Sequence, residues 1–298
     1  MFAFTMLSLI LFLATICHVF SGNEKIPSKV REFIVMNKLP HDDNCFTQGL
    51  LYHKSIIIES CGLYGKSSIR KVSALDGSVL SDKKVAKEYF AEGATVFNDM
   101  LFMLTWQNRK VVVYDVDTLE LKQVVDISTS NGEGWGLTND LNNLIVSDGT
   151  NKLLFFEVIK DVKSGAITLK KSREVTVQES AADGKRTAVQ QVNELEYVDG
   201  FVFANVWYKD VILKIDPSDG HVVHKYDMAM LYPRHRRISK ADCLNGIAYN
   251  ATSGHFLLTG KQWPEYFVVS LTGAVNRSPL LNQNRLLNLG MQEQPIDL

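Results

Sequence analysis

The chain has 298 residues, of which 46% are hydrophobic and 22% charged, and its formal net charge is −1. This length suits one large or two ordinary domains, and the composition is that of a globular protein. The near-zero charge excludes the strong electrostatic footprint expected of a protein that binds nucleic acid or an anionic membrane surface.

The N-terminal segment is an apolar run. Residues 2–17 are almost wholly apolar, and the first charged residue is Glu24. The run has the length of a signal-peptide core and is short for a membrane span, and small residues near Ser21 suit cleavage by a signal peptidase. We predict a signal peptide over residues 1–21, with an uncleaved signal anchor as the alternative, followed by one domain over residues 22–298. The sequence offers no second candidate span, so we expect a secreted, extracellular protein with no other membrane contact.

Three cysteines follow this segment. Cys45 begins one apolar run and Cys61 ends the next, so a hairpin would bring them opposite each other, within disulfide reach. We therefore favour a Cys45–Cys61 disulfide over two free thiols, which leaves Cys243 as a small buried hydrophobic residue. Sequons for N-linked glycosylation begin at Asn250 and Asn276.

From residue 48 onward a pattern of four short strands repeats five times. The strands show apolar alternation and β-branched residues, and turn residues separate them. The opening residues of the units are Gln48, Glu92, Trp135, Asn193 and Asn245. They recur roughly every 40–60 residues, the period of a four-stranded propeller blade. The sequence predicts an all-β, five-bladed β-propeller; a β-sandwich is the alternative, but it does not explain the recurrence.

Two kinds of segment interrupt this pattern. Residues 81–88 and 278–289 are candidate short helices, and the polar insert 180–186 is predicted as a surface loop. The basic segment 233–237 is interpreted as a solvated loop. We find no zinc-type ligand spacing, no phosphate-binding glycine loop and no Ser-His-Asp arrangement.

The innermost strands of a propeller run parallel around its axis, so the five opening residues should meet at one face. The second strand of each unit returns there and should add Trp106, Asp148, Trp207, Lys261 and Trp263. An acid, a base, carboxamides and indole rings around a funnel are typical of a ligand site. Gly93 follows Glu92, which would let backbone and ligand come close. Taken alone, each of these side chains also has an ordinary structural explanation. The acid could be solvated, the indole rings could belong to the core, the carboxamides could bind neighbouring backbone at strand ends, and the lysine could lie on the surface.

These residues resemble the motifs of the glutamine cyclotransferase family, the plant- and bacterial-type glutaminyl-peptide cyclotransferases. Eight blocks match in chain order, at residues 46–50, 91–93, 133–138, 147–149, 193–197, 205–207, 244–248 and 259–264. The resemblance implies a five-bladed propeller that converts the N-terminal glutamine of peptides or proteins to pyroglutamate with release of ammonia.

The resemblance also implies roles for particular residues. Glu92 stands at the position of the family's catalytic acid. Polar substrate contacts are implied at Gln48, Asn193 and Lys261. An aromatic pocket is implied at Phe46, Trp106, Trp135 and Trp207. No cofactor is expected to be required, although the family leaves room for a zinc or calcium ion near the axis. We expect a monomer whose partners are substrates with N-terminal glutamine.

The chemistry of the reaction sets the expected mechanism. Glu92 would accept the proton of the α-amine and pass it to the departing ammonia, while Lys261 and side-chain amides would stabilise the oxyanion. One alternative is a non-catalytic propeller that binds a peptide or glycan at the same funnel. Another is a metal-dependent hydrolase of the lactonase kind, for which the axis offers chiefly Glu92 and Asp148.

Overall fold

The computed structural model describes residues 32–275. The predicted signal segment, the Asn276 sequon and the candidate helix at 278–289 therefore lie outside the described residues. Within residues 32–275, no helix is long and apolar enough to span a membrane.

Five four-stranded antiparallel sheets form the blades. Blade 1 contains β2 (Thr47–His53), β3 (Ile56–Cys61), β4 (Ser68–Ser73) and β5 (Val79–Lys84). Blade 2 contains β6 (Ala91–Phe97), β7 (Met100–Thr105), β8 (Lys110–Asp115) and β9 (Leu121–Asp126). Blade 3 contains β10 (Leu137–Asn139), β11 (Leu144–Ser147), β12 (Lys152–Lys160) and β13 (Ile167–Thr176). Blade 4 contains β16 (Val192–Val198), β17 (Phe201–Val206), β18 (Val211–Ile215) and β19 (Val222–Asp227).

Blade 5 is assembled from both ends of the described chain. Three of its strands are β20 (Leu244–Asn250), β21 (His255–Gly260) and β22 (Glu265–Leu271). Its outermost strand is β1 (Phe33–Pro40), which pairs antiparallel with β22. No strand is predicted here from the sequence. The first six of the eight residues of β1 are all exposed or half-exposed, so neither face of the strand is buried along this run. The sequence of β1 therefore shows no apolar alternation.

The five inner strands, β2, β6, β10, β16 and β20, contact one another in a closed ring, which makes the sheets the blades of a five-bladed propeller. Glycines allow this ring to be tight. A Cβ at Gly93 would lie 2.4 Å from the backbone nitrogen of Leu137, and one at Gly136 would lie 2.0 Å from the carbonyl oxygen of Asn193. The prediction that Gly93 makes room for a ligand was therefore wrong: the backbone of the neighbouring strand fills the space that a side chain at residue 93 would need.

The apolar core lies between the blades. Five clusters of buried side chains fill the five interfaces, one between each pair of neighbouring blades. The inner strands are buried, whereas the outer strands face water; β5, for example, is exposed at every residue. This exposure explains why residues 81–88 were wrongly predicted as a helix. They carry no apolar stripe of either period, and residues 79–84 form the outer strand of blade 1.

The remaining elements are short. Residues 181–185 of the insert form a loop, as predicted, while its two end residues lie in a small hairpin of β14 (Gln178–Ser180) and β15 (Arg186–Ala188). The helical structure among residues 32–275 is limited to one 3₁₀ turn, η1 (Arg234–Arg236), inside the basic segment.

Candidate active site

Four inner strands carry an irregularity at the same place. The pairing register shifts between Thr47 and Gly49 in β2, and between Ala91 and Ala94 in β6. Equivalent shifts occur at residues 192–195 in β16 and 244–247 in β20. A β-bulge re-aims the side chain of the extra residue. The residues inside the shifts include Gln48, Glu92, Asn193 and Asn245, so four of the five units use a bulge to turn the opening side chain.

The face where these strands open contains a cavity of about 170 Å³. The residues that line it are Phe46, Gln48, Phe90, Glu92, Trp106, Trp135, Asn193, Trp207, Tyr208, Asp242 and Lys261. The structure thus brings together all eight residues to which the sequence analysis gave a catalytic or substrate-binding role. Trp263 and Asn245 do not line the cavity: Trp263 is buried in the core between blades 4 and 5, and Asn245 lies behind Gln48.

Glu92 is the buried acid of this cavity. Its carboxyl oxygen Oε1 accepts a hydrogen bond of 2.9 Å from the Nε2 group of Gln48. Burial raises the pKa of the Glu92 carboxyl well above its ordinary value; the charge of Lys261 opposes this rise, and the charge of Glu133 adds to it. A raised pKa makes a carboxyl a stronger base than an ordinary glutamate, and the protonated form can return the proton as an acid.

Two groups of aromatic rings wall the cavity. On one side, the rings of Phe90 and Trp106 lie edge to face, with centroids 5.6 Å apart. On the other side, Trp135 and Trp207 make the same kind of contact at 5.4 Å. The Nε1 group of Trp135 donates to Glu133 Oε2 at 2.9 Å, which fixes the indole plane. The walls leave apolar surface on both sides of the acid.

Lys261 follows β21 and lies opposite the aromatic walls. Its side chain is 4% exposed, and its Nζ atom stands 4.8 Å from the centroid of the Phe46 ring, a cation–π distance. Among residues 32–275, Lys261 has no ion-pair partner within 4.0 Å. Asn193 is also buried, and its Oδ1 atom has no hydrogen-bond partner within the described chain. Both side chains therefore have polar groups free for a ligand.

Three lining residues escaped the sequence analysis: Phe90, Tyr208 and Asp242. Phe90 and Tyr208 each neighbour a recognised position, so a search of residues flanking the opening and returning strands could have found them. Asp242 precedes β20 in an irregular segment, where no periodicity marks it.

The basic segment 233–237 is mostly exposed, as interpreted from sequence, but two of its arginines also bind an acid. Arg234 Nε and Arg237 Nη2 bind the two carboxylate oxygens of Asp210, at 3.1 and 2.6 Å. Arg234 also donates to the carbonyl oxygen of Tyr208 at 3.2 Å. The segment thus holds the turn after β17, which carries Tyr208 to the mouth of the cavity.

Cys45 and Cys61 form a disulfide, with their Cα atoms 5.0 Å apart. The residue directly opposite Cys61 is Thr47 rather than Cys45, which precedes β2. Cys243 is free and buried. Asn250 ends β20 and is half-buried; its Oδ1 atom accepts the backbone N–H groups of the next turn.

One group of potential metal ligands occurs among the described residues: His41, Cys45 and Glu59. It does not fit a metal ion, because the sulfur of Cys45 is in the disulfide and cannot act as a thiolate. Both carboxylate oxygens of Glu59 already accept hydrogen bonds from protein groups, Oε1 from Thr47 and Oε2 from Tyr266. We interpret this group as part of the scaffold.

Comparisons with known proteins agree with this geometry. A family model described as glutamine cyclotransferase matches residues 9–271. The glutaminyl-peptide cyclotransferase of Arabidopsis thaliana is 35% identical over 256 residues, which cover 84% of this chain and 74% of the plant protein. The crystal structure of glutaminyl cyclase from Myxococcus xanthus matches with a TM-score of 0.68 at 30% identity, over 80% of this chain and 96% of the bacterial chain.

Proposed function

The chain belongs to the glutamine cyclotransferase family and is a glutaminyl-peptide cyclotransferase, and we propose that Glu92 is the group that moves protons in its reaction. The observation that carries this proposal is a buried acid with a raised pKa inside an aromatic cavity on the propeller axis. Strongly perturbed acids in clefts are typical of functional sites.

The substrate already contains both reacting groups. On the way to the five-membered lactam, the α-amine of the N-terminal glutamine attacks its own side-chain carbonyl carbon, and ring closure leaves both nitrogens bonded to that carbon. The bond from that carbon to the amide nitrogen then breaks, and ammonia leaves. Because the reaction is intramolecular, holding the glutamine in the curled conformation supplies a large part of the rate. The aromatic walls of the cavity are suited to holding it.

Glu92 takes the proton that the amine loses as the new bond forms. The same proton is then delivered to the departing amide nitrogen, so Glu92 acts first as base and then as acid, and it ends the cycle ionised. The raised pKa that burial gives Glu92 makes its carboxylate a better proton acceptor in the first step.

Lys261 stabilises the negative charge that develops on the carbonyl oxygen, and the Nδ2 amide group of Asn193 can add an N–H donor, whereas the unpaired Oδ1 atom of Asn193 can only accept a hydrogen bond from the substrate. Lys261 is buried and unpaired by any described carboxylate, and a cation in a water-poor site interacts strongly with such a charge. Gln48 is engaged differently, since its Nε2 group already donates to Glu92. We therefore assign Gln48 mainly to holding the acid.

The walls formed by Phe46, Trp106, Trp135 and Trp207 keep water from the reacting carbon. Water there would hydrolyse the side-chain amide to glutamate instead of allowing ring closure. Selectivity for cyclisation over hydrolysis thus depends on the rings rather than on Glu92.

The setting of the enzyme is part of the proposal. A disulfide suits an oxidising compartment, and we propose that the protein enters the secretory pathway through residues 1–21. Glycosylation at Asn250 and Asn276 and a monomeric state remain predictions, as does catalysis without a metal ion or other cofactor.

The decisive experiment measures ammonia release and conversion to pyroglutamate for a peptide that begins with glutamine. We expect Glu92→Gln to lower kcat/KM roughly 10³-fold, the usual size of a general acid–base contribution, with the fold intact. The matched control is Glu196→Gln, the same change at an acid outside the cavity whose pKa burial raises to about 8; it should stay near wild type. EDTA treatment should have no effect. Near-normal turnover by Glu92→Gln would contradict the role of Glu92, and a folded wild type without turnover would favour a binding propeller.

A further inference from the structure

Behind Gln48, away from the cavity, lies a second buried carboxamide, that of Asn245. Asn245 has no exposed surface and occupies the bulge of β20. Its Nδ2 group donates to the backbone carbonyl oxygen of Thr47 at 3.0 Å and faces Gln48 Oε1 at 3.4 Å. A chain of contacts therefore runs from the backbone of β2 through Asn245 and Gln48 to Glu92.

The chemistry of these groups fixes the direction of every hydrogen bond in the chain. A backbone carbonyl can only accept, so Asn245 must turn its NH₂ group toward Thr47. The same NH₂ group faces Gln48, so Gln48 must present its oxygen to Asn245. The other end of the Gln48 amide, its NH₂ group, is then the end that meets Glu92.

A reversed Gln48 amide would place two NH₂ groups against each other and an amide oxygen against the Glu92 carboxylate. Because an amide oxygen only accepts, it would favour the protonated carboxyl and disfavour the ionised base. The other charges that act on the pKa of Glu92 are those of Lys261 and Glu133, whereas the side-chain contacts of Asn245 are with Thr47 and Gln48.

The position of Asn245 is itself fixed from blade 4. The Oδ1 atom of Asn205, in β17, accepts the backbone N–H of Gly246 at 2.8 Å. Gly246 has a φ of 121°, which few residues other than glycine adopt, and the hydrogen bond to Asn205 holds the bulge in this conformation. The Asn245 side chain, which lies on this bulge, can therefore hold the neighbouring Gln48 amide in a fixed orientation.

We propose that Asn245 is a positioning residue for cyclisation: it fixes the orientation of the Gln48 amide so that Gln48 donates to, and never accepts from, Glu92. The proposal rests on the proposed role of Glu92 and adds a residue that touches neither the cavity nor the substrate. It assigns to blade 5 a part in the proton transfer that occurs at blade 2.

The test is the Asn245→Leu variant, which keeps the approximate size of the side chain and removes its donor. We expect the titration of the Glu92 carboxyl, followed by NMR of the free enzyme with labelled glutamate, to move to higher pH. The acid limb of the pH profile of kcat/KM should move with it, and kcat/KM below neutral pH should fall about tenfold, the equivalent of one hydrogen bond. The matched control is Asn139→Leu, which removes a carboxamide that also donates to a backbone carbonyl but lies away from the cavity; it should leave both readouts unchanged.

A double variant shows whether the effect passes through Gln48. In a Gln48→Leu background, Asn245→Leu should produce no further shift in the Glu92 titration, and an additional shift would overturn the proposal. If Asn245→Leu does not fold, Asn245→Ser, whose hydroxyl is too short to bridge Thr47 and Gln48, is expected to give the same shift.

The outcomes separate this inference from the proposed function. An unchanged Glu92 titration in folded Asn245 variants overturns the positioning role, whatever the activity of Glu92→Gln. A shifted titration with unchanged kcat/KM, together with an active Glu92→Gln enzyme, supports the positioning geometry and rejects Glu92 as the proton carrier.

Discussion

Glu59 lies at the seam where blade 5 meets blade 1, and Glu92 lies in the cavity where blade 2 opens; both carboxyls are buried, yet their pKa values shift in opposite directions. At Glu59, burial acts to raise the pKa, but the charge of His41 and hydrogen bonds from His41, Thr47 and Tyr266 hold it below its ordinary value. At Glu92, burial prevails and raises the pKa.

The difference shows that partners, rather than burial, decide what a buried acid does. Glu59 has its negative charge compensated by groups from three segments, including His41 just after β1 and Tyr266 in β22. Glu59 thereby stabilises the contact between blades 5 and 1 that closes the propeller. Glu92 has Gln48 as a hydrogen-bond donor and apolar rings around it, so its proton affinity stays high, as the proposed proton transfer requires.

The largest effect should come from breaking the seam. His41→Phe keeps an aromatic ring but leaves Glu59 as a buried charge without its cation, so we expect a loss of about 3–5 kcal/mol in the free energy of unfolding. Equilibrium unfolding in urea measures it. The matched control is His224→Phe, which removes a His–Glu pair of similar length, 2.9 Å, on the surface; it should cost less than about 1 kcal/mol. Equal losses would mean that the seam pair is no stronger than a surface pair.

The pH dependence of this loss sharpens the same point. Although burial alone would lower it, contacts with Glu59 raise the pKa of His41 above 6.5, so the stabilisation is complete below pH 6.5 and is lost as the pH rises through the raised value. The lowered pKa of Glu59 makes its contribution complete above pH 4.5 and lost as the pH falls below that. The difference between wild type and His41→Phe should therefore be greatest between pH 4.5 and 6.5.

The Cys45–Cys61 disulfide connects the two regions, because Cys45 follows the seam residue His41 and precedes the cavity residue Phe46. The bond closes a loop across 16 positions, and we expect the Cys45→Ala/Cys61→Ala variant to lose about 3 kcal/mol in the free energy of unfolding. Its kcat/KM should fall as well, because the cavity residues Phe46 and Gln48 follow Cys45 in the chain and lose the restraint that the disulfide places on this segment. Cys243→Ala is the control for loss of sulfur. A disulfide-free variant with wild-type kcat/KM would show that the geometry of the cavity does not depend on the link to the seam between blades 5 and 1.

Much of the fold could be predicted because short apolar strands recur along the chain at a blade-like spacing. Their alternation and the recurring opening residues predict five blades, and convergence of those residues predicts the face that holds the cavity. The roles of Glu92 and Lys261 required the family resemblance, since the residues alone equally suit a binding site.

The seam could not be predicted, because closure joins segments more than 220 residues apart, as in the contact between His41 and the carbonyl oxygen of Trp263. Neither segment has a sequence pattern that indicates which segment it pairs with, and β1 is too exposed to show apolar alternation. The bulges were hidden for a related reason: a register shift such as that around Glu92 appears only when two strands are paired. Asp242 and Tyr208 lie in irregular segments, where no period applies.

The smallest effect on stability is also the one with an unexpected sign. Because the pKa of Glu92 is raised on folding, the native state retains a proton that the unfolded chain releases above pH 4.5, so this carboxyl destabilises the fold increasingly as the pH rises from there. Glu92→Gln removes the titration and keeps an acceptor for Gln48. We therefore expect it to be more stable than wild type by about 1 kcal/mol at pH 8 and equal to it at pH 4, by thermal unfolding at both values. The same substitution at Glu59 should destabilise the protein at both. A Glu92→Gln variant less stable than wild type at pH 8 would mean that its charge is compensated in the fold, as that of Glu59 is, and the contrast between structural and functional acid would fail.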